Sequence, residues 1–512
     1  MYRTIIANSA ADMDMPGGLD FSTFTVATPT YFGANLTTAV NNGSVAEARL
    51  DDMVLRIMTP YFQLGQDVGF PTVDPSSAPL GFFPQKNWIV NFSLPGPTNR
   101  DVRDNHAALI RELAAAGTVL LKNANGVLPL KSPKNVGVFG NDAGDLTHGL
   151  YSGSYSGDPA QGDYEFGTLP VGGGSGTGRY TYVVPPLEAL KTRVYGDGGI
   201  ISYILDNDYI IAGGLTAIAP GPPEICLVFL KTWAREGIDR TTLEADWNST
   251  ALVNEVASYC NNTVVITHSG GINTMPWATN PNVTGIIAAH FPGQESGNSI
   301  VDILYGNVNP SGRLPYTIAH SDSDYNTKIT NSTELLMTKD PNAWQTDFEE
   351  KLLIDYRYFD AVNKSVLYEF GYGLSYTTFS LSSISVKAVA SGITAAPPAG
   401  TIIPGGLSTL WDVLYQVTVT VTNTGSVAGA AIPQLYISLT GAPSGTPPNQ
   451  LRGFEKVSLQ PGQSTQVMFP LLRRDVSYWD VVSQQWLIPS GEIGINVGFS
   501  SRDFKVSSSV SI

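Results

Sequence analysis

Cysteine is almost absent from this chain. Two residues in 512, Cys226 and Cys260, are too few for a disulfide framework to carry the fold. Histidine is also scarce: five scattered residues with no HExxH or CxxC spacing argue against a metal site. Charged side chains make up only 14% of the sequence and the net charge is -15, which disfavours nucleic acid as a partner. No run of about 18 apolar residues occurs, so no membrane span is expected. Glycine and proline are plentiful, 52 and 34 residues, so the chain is loop-rich. At this length one core is not enough, and roughly two to four domains are expected.

Acceptors of the form Asn-X-Ser/Thr stand at Asn35, Asn42, Asn91, Asn248, Asn261, Asn282, Asn331 and Asn363, which suits secretion. The opening "MYRTIIANSAADMDMPGG" has no apolar core of a signal peptide, so these two signals conflict.

Residues 45 to 65 place Val45, Leu50, Met53, Val54, Ile57 and Met58 on one side at helical spacing, with Asp51, Asp52 and Arg56 mostly opposite. The Pro-, Gly- and Ser-rich composition of residues 71–100 marks a linker. From residue 101 to 320, helical patterns such as "NHAALIRELAAAG" and "STALVNEVASY" alternate with short apolar runs: "TVLLKN", "NVGVFG", "IISYIL", "EICLVFL", "TVVITHS", "VTGIIAAHF" and "RLPYTIA". That order predicts a mostly parallel sheet with helices on both faces, an α/β sandwich. Residues 321–378 read as an irregular connection. Beyond 379, "VLYQVTVTVTNTG", "QLYISL", "TQVMFPL", "EIGINVGFS" and "FKVSSSVSI" alternate apolar with polar residues, the pattern of a β-sandwich, with 390–408 as a surface loop.

Three motifs invite chemistry. In "VGGGSGTGR", Gly173 and Gly178 have phosphate-loop spacing, but Arg179 and Tyr180 replace the lysine and hydroxyl residue, and no helix follows. "THSGG" places His268 beside Ser269 without a Gly-X-Ser-X-Gly elbow, and reads as a strand-end turn. Glu236, Asp239, Glu244 and Asp246 form the densest acidic cluster directly after a buried strand. By itself that pattern fits a solvated loop as well as a general acid.

Longer blocks decide between them. "HFPGQESGNSIVDILYGNVNPSGRLPYTIA", "LYEFGYGLSYTTF", "PPNQLRGFEKVSLQPGQS" and "RRDVSYWDVVSQQWLIPSGE" resemble glycoside hydrolase family 3, and secreted fungal β-glucosidases in particular. The resemblance implies a TIM-like barrel, an α/β sandwich and a fibronectin type III-like domain, in that order. Residues 1–70 then look like a short C-terminal remnant of the barrel, with "NSAADMDMPGG" and "ARLDDMVLRIM" matching its last segments. The division expected is 1–70 barrel remnant, 71–100 linker, 101–320 α/β sandwich, 321–378 connection and 379–512 fibronectin type III-like domain.

The resemblance also assigns roles. The family's acid/base glutamate lies seven residues past the phenylalanine of a "VF" pair, which is Glu236 counted from Phe229, and "DR" at Asp239 and Arg240 matches too. Glu244 is the weaker candidate. The nucleophilic aspartate of relatives lies upstream of "NSAADMDMPGG", so it is expected to be absent from this chain, and the chain alone is expected to turn over little or no aryl glucoside. A retaining mechanism needs two carboxyl groups about 5 Å apart and no cofactor. Trp233 could wall the acid or stack on a sugar. The implied substrates are β-glucosides or cello-oligosaccharides and the implied location is extracellular. The alternative from another class is a non-catalytic carbohydrate-binding or scaffold remnant. The helix at 45–65, lacking barrel strands to cover its apolar stripe, is expected to lower solubility.

Overall fold

The structure is a computed structural model that describes residues 7–8, 11–14, 32–70, 103–146, 165, 167–173, 180–234, 240–327 and 348–511. It divides into two compact units, residues 1–104 with 399–408, and residues 105–398 with 409–512. The expected linker at 71–100 lies outside the described residues.

In the first unit, helix α1 (Ala34–Asn41) precedes α2 (Glu47–Gln63), where the helical spacing placed it. Arg49 ties α2 to the residues before α1: its Nε donates to the Ala7 carbonyl at 2.8 Å and its guanidinium reaches Asp12 at 2.7 Å. The expected apolar stripe splits. Val45 and Met53 are buried, whereas Val54 and Ile57 are exposed together with Leu55 and Phe62. The loop expected at 390–408 carries a short antiparallel pairing, Ile402–Ile403 against Gly406–Leu407.

The second unit begins with α3 (His106–Gly117), followed by β1 (Val119–Asn123), β2 (Asn135–Phe139), α4 (Pro186–Gly196), β3 (Ile200–Ile204), α5 (Asn207–Ile211), β4 (Ile225–Thr232), α6 (Ser249–Tyr259), β5 (Thr263–Ser269), β6 (Val283–Ala288) and α7 (Ser296–Leu304). The strands form one sheet in the order β1-β6-β5-β4-β2-β3. Every pairing is parallel except β1 with β6. Strands buried on both faces need apolar residues at every position, and β4, β5 and β6 are buried from end to end. Successive residues serve opposite faces: Ile225, Leu227 and Phe229 join the core under α4 and α7, while Cys226, Val228 and Leu230 join the core under α6. Cys226 and Cys260 are disulfide-bonded, linking β4 to the end of α6.

The expected strand "RLPYTIA" is not formed. Pro315 has no N–H to offer a ladder. Residues 314 and 318 instead exchange isolated backbone bonds with Gly371, Tyr372, Leu367 and Tyr368. The expected irregular connection is described at 321–327 and from residue 348, and its second described part contains helix α8 (Tyr356–Ala361). Its Tyr368, Leu374 and Tyr376 pack into the two cores of the α/β sheet.

The β-sandwich follows: β7 (Phe379–Ala388), β8 (Val413–Asn423), β9 (Gln434–Leu439), β10 (Gln450–Phe454), β11 (Ser464–Leu472), β12 (Tyr478–Asp480), β13 (Gln485–Leu487), β14 (Ile493–Gly498) and β15 (Phe504–Val510). One sheet runs β11-β8-β7 and the other β10-β9-β14-β15; β12 and β13 pair as a separate ribbon. Their inner faces meet in one core that includes Val417, Val419, Val421, Leu435, Ile437, Phe469 and Ile495. Helix α8 bridges to this sandwich. Tyr356 stacks on Phe370 at 4.5 Å and accepts the Leu451 N–H at 3.0 Å, and Asp360 pairs with Arg502 at 2.7 Å.

Candidate active site

In a parallel sheet all strands deliver their carboxyl ends to one edge, where loops can bring side chains together. Here β2, β4, β5 and β6 end at Phe139, Thr232, Ser269 and Ala288, and the chemistry-bearing residues gather just beyond. Glu236 and Asp239 lie outside the described residues. The segments on either side of them are described, and both are tied down.

On the entering side, β4 carries Lys231 into the interior, where only 2% of it is exposed. Its ammonium donates to the Gly167 carbonyl at 2.6 Å and lies 5.0 Å from the centre of the Trp247 ring. Burial pushes its pKa down to about 8, and the carboxylates of Asp142, Glu165 and Asp246 pull the other way. Trp233 next donates its backbone N–H to the Asp246 carboxylate at 2.7 Å, and the Asp246 N–H returns to the Lys231 carbonyl at 3.1 Å. Burial raises the Asp246 pKa, opposed by that Trp233 N–H and by Arg240 and Lys231. The Ala234 carbonyl accepts from Gly173 N–H at 2.9 Å, so the start of the glycine run is fastened to the strand end. A Cβ on the neighbouring Gly172 would come within 3.0 Å of both that carbonyl and the Phe291 ring, which explains a glycine there. The rest of the run, 174–179, lies outside the described residues.

On the leaving side, Arg240 donates to the Ile272 carbonyl at 2.7 Å, and burial lowers its pKa. Asp322 accepts from the Leu243 N–H at 2.9 Å and from the hydroxyls of Thr242 and Thr274 at 3.0 and 3.1 Å. The weaker acid/base candidate, Glu244, is half-buried, and its carboxylate accepts from the Thr250 hydroxyl on α6 at 2.6 Å. Asp246, as described, serves Trp233. Two of the four clustered carboxylates therefore have defined local partners that hold the loop.

Beneath this edge lies a pair that sequence reasoning did not assemble. His268 Nδ1 meets Asp142 Oδ2 at 2.6 Å, and both side chains are fully buried. The other Asp142 oxygen accepts the Leu169 N–H at 2.7 Å. Ser269 turns away to Gly271, donating to its carbonyl at 2.9 Å, so "THSGG" is a strand-end turn whose serine and histidine serve different partners. Asp142 follows Gly140, whose φ of 102° belongs to glycine and whose added Cβ would collide with the Phe229 carbonyl on β4. The readable signal for this layer was Lys231, a lone cation closing an apolar run.

Among the described residues no group of three or more His, Cys, Asp or Glu is placed to hold a metal, and no helix is long and apolar enough to cross a membrane. What the arrangement provides is a carboxyl edge at which the residues on either side of 235–239 are held by hydrogen bonds.

Comparison with known proteins fits this architecture. Residues 118–376 match the glycosyl hydrolase family 3 C-terminal domain and residues 431–501 a fibronectin type III-like domain. The chain is 58% identical to "Probable beta-glucosidase G" of Emericella nidulans over 503 residues, 97% of this chain and 60% of that protein. It is 42% identical to "Probable beta-glucosidase M" of Aspergillus niger over 99% of this chain and 61% of that protein. Among solved structures, the beta-D-glucoside glucohydrolase of Trichoderma reesei superposes with a TM-score of 0.79 at 37% identity, covering 99% of this chain and 66% of that one. A glycoside hydrolase family 3 beta-glucosidase of Neurospora crassa gives 0.79 at 35%, covering 99% and 68%. The chain spans about 60% of the length of the curated relatives it matches. With the family model covering half of the sequence and the solved relatives superposing on nearly all of it, the chain belongs to glycoside hydrolase family 3.

Proposed function

We propose that this chain supplies the proton-handling part of a retaining β-glucosidase, with Glu236 as the acid/base. The observation that carries the reading is the 58% identity over 97% of the chain to a protein named as a probable beta-glucosidase. In this reading residues 1–70 close a barrel domain, 71–100 link it to the α/β sandwich at 101–320, and 321–378 connect that to the fibronectin type III-like domain at 379–512.

Glu236 protonates the glycosidic oxygen as a second carboxylate attacks the anomeric carbon, and then takes a proton from the water that releases the sugar. The two carboxyl groups of such a pair stand about 5 Å apart, and the reaction needs no cofactor. Glu236 is preferred over Glu244 because Glu244 is bonded to Thr250 at the helix that follows. Its loop leaves β4 from a fixed point, since Trp233 and Ala234 are held by Asp246 and Gly173. The substrates are β-glucosides or cello-oligosaccharides. An extracellular location fits the Cys226–Cys260 disulfide, since such bonds persist in oxidising compartments, and fits the run of glycosylation acceptors.

The test joins the chain in frame to the portion of the Emericella nidulans relative that the match leaves uncovered, and follows release from a chromogenic β-glucoside. Glu236→Gln should lower kcat by about 10²- to 10⁴-fold. Full turnover by that variant, with Glu244→Gln inactive instead, would assign the acid to Glu244.

A further inference from the structure

The acceptor sequons differ physically once the chain is folded, and that difference selects among them. We propose that Asn42, Asn248, Asn261 and Asn363 are N-glycosylation sites, and that Asn282, a sequon of the same kind, is not.

The modification joins the asparagine Nδ2 to C1 of an N-acetylglucosamine. The C1–oxygen bond to a lipid diphosphate breaks, that diphosphate leaves with the electron pair, and Nδ2 gives up one proton. The co-reactant is thus a lipid-linked oligosaccharide diphosphate, supplied to secretory chains. A bulky polar product requires that Nδ2 point to solvent in the folded protein. Asn42, Asn248, Asn261 and Asn363 are all exposed, and all stand at helix ends. Asn42 follows α1 in a side-chain turn: its Oδ1 accepts the Ser44 N–H at 3.0 Å, which leaves Nδ2 as the outward atom of the amide. Asn248 stands at the start of α6, where its Nδ2 makes only a long, exposed contact of 3.5 Å to the Asp208 carboxylate, and Asn363 lies just past α8, both with left-handed φ, 54° and 51°. Asn261 follows α6 directly after the disulfide-bonded Cys260.

Asn282 is different. Its Nδ2 is turned inward, donating at 2.8 Å to the carbonyl of Ala257, a buried residue of α6. A sugar on that nitrogen must push Asn282 out of its seat between α6 and β6. The hydroxyl of its sequon partner, Thr284, is also buried within the sheet. Chains glycosylated there should fail to fold and be retained, so secreted protein is free of the modification at this site. In this assignment a buried hydroxyl alone is no bar, as Asn261 illustrates. Thr263 is fully buried too, but transfer before folding leaves the Asn261 amide outside the finished domain.

In the cell this rests on the extracellular reading above, so the experiment supplies a secretion leader and becomes independent of it. The full chain is secreted from a eukaryotic host, its N-glycans are released enzymatically in heavy-oxygen water, and peptides are mapped by mass spectrometry. Labelled aspartate is expected at positions 42, 248, 261 and 363, and ordinary asparagine at 282. Label at 282, or unmodified asparagine at any of the four in most molecules, overturns the assignment. A second readout is gel mobility of the secreted protein before and after enzymatic removal of its N-glycans. Asn42→Gln, Asn248→Gln, Asn261→Gln and Asn363→Gln should each remove one glycan step, and Asn282→Gln none; the reverse pattern also overturns it.

Discussion

The α/β sheet and the β-sandwich of the larger unit are buried in opposite ways. Along β4, β5 and β6 every residue is buried, whereas along β8 and β11 buried positions alternate with exposed or half-exposed ones. The parallel sheet is covered on both faces, so its only exits for polar chemistry are the strand ends. Lys231, His268 and Asp142 accumulate there. The β11-β8-β7 sheet of the sandwich keeps one face toward solvent and spends its buried positions on packing. The α/β sheet is built to position a loop; the sandwich, to be a stable body beside it.

Substitutions can sharpen that contrast. The largest effect is expected at Phe229, fully buried in β4: Phe229→Ala should cost about 3–5 kcal/mol of stability in chemical denaturation. Met468→Ala on the open face of β11, where the side chain is 52% exposed, should change stability by less than about 0.5 kcal/mol. Equal losses would erase the distinction. Next in size, Cys226→Ser removes a cross-link spanning 34 residues and should cost about 2–4 kcal/mol, seen as a lowered Tm under oxidising but not reducing conditions.

A smaller effect tests the buried cation. The Lys231 pKa is about 8 in the folded chain against an ordinary 10.5, so between those values the unfolded chain binds the extra proton. Stability of the wild type relative to Lys231→Met should therefore rise with pH across that window, by up to about 1 kcal/mol per pH unit, and be flat below it. A difference that falls with pH in that range would mean that the folded state favours the charged lysine. Smallest of all, Arg474 lies 5.8 Å from the Trp411 ring and 5.3 Å from the Trp486 ring of the sandwich. Arg474→Ala should cost about 1 kcal/mol or less in the same denaturation assay.

Periodicity and continuous apolar runs made much of this fold legible. β5 and α6 fall on the residues from which they were expected, because a fully buried strand and a two-faced helix each write their burial into consecutive positions. Elements with broken periods were not legible. β7 was missed because Ser383 has φ 56° and the pairing with β8 slips there, so the alternation changes face partway along. α5 is five residues held by an Asp206 cap, too short to show a helical stripe. "RLPYTIA" has the composition of a strand, but its partner is an irregular segment some fifty positions onward. At the site, the acidic loop after β4 was visible at once, and the family blocks singled out Glu236 within it. The layer beneath was not: His268 and Asp142 lie 126 positions apart, and no local pattern announces such a pair. Asp246 was read as a member of an acidic cluster, when its carboxylate instead accepts a backbone N–H.

The central claim is that Glu236 handles the proton. Its most direct test is chemical rescue of Glu236→Ala in the joined protein, using an aryl β-glucoside whose leaving group needs no protonation. The glycosyl intermediate should then form but stall, and azide, a nucleophile that needs no base, should restore turnover and yield β-glucosyl azide. Wild-type turnover without azide, or no azide product from a folded variant, would contradict the assignment.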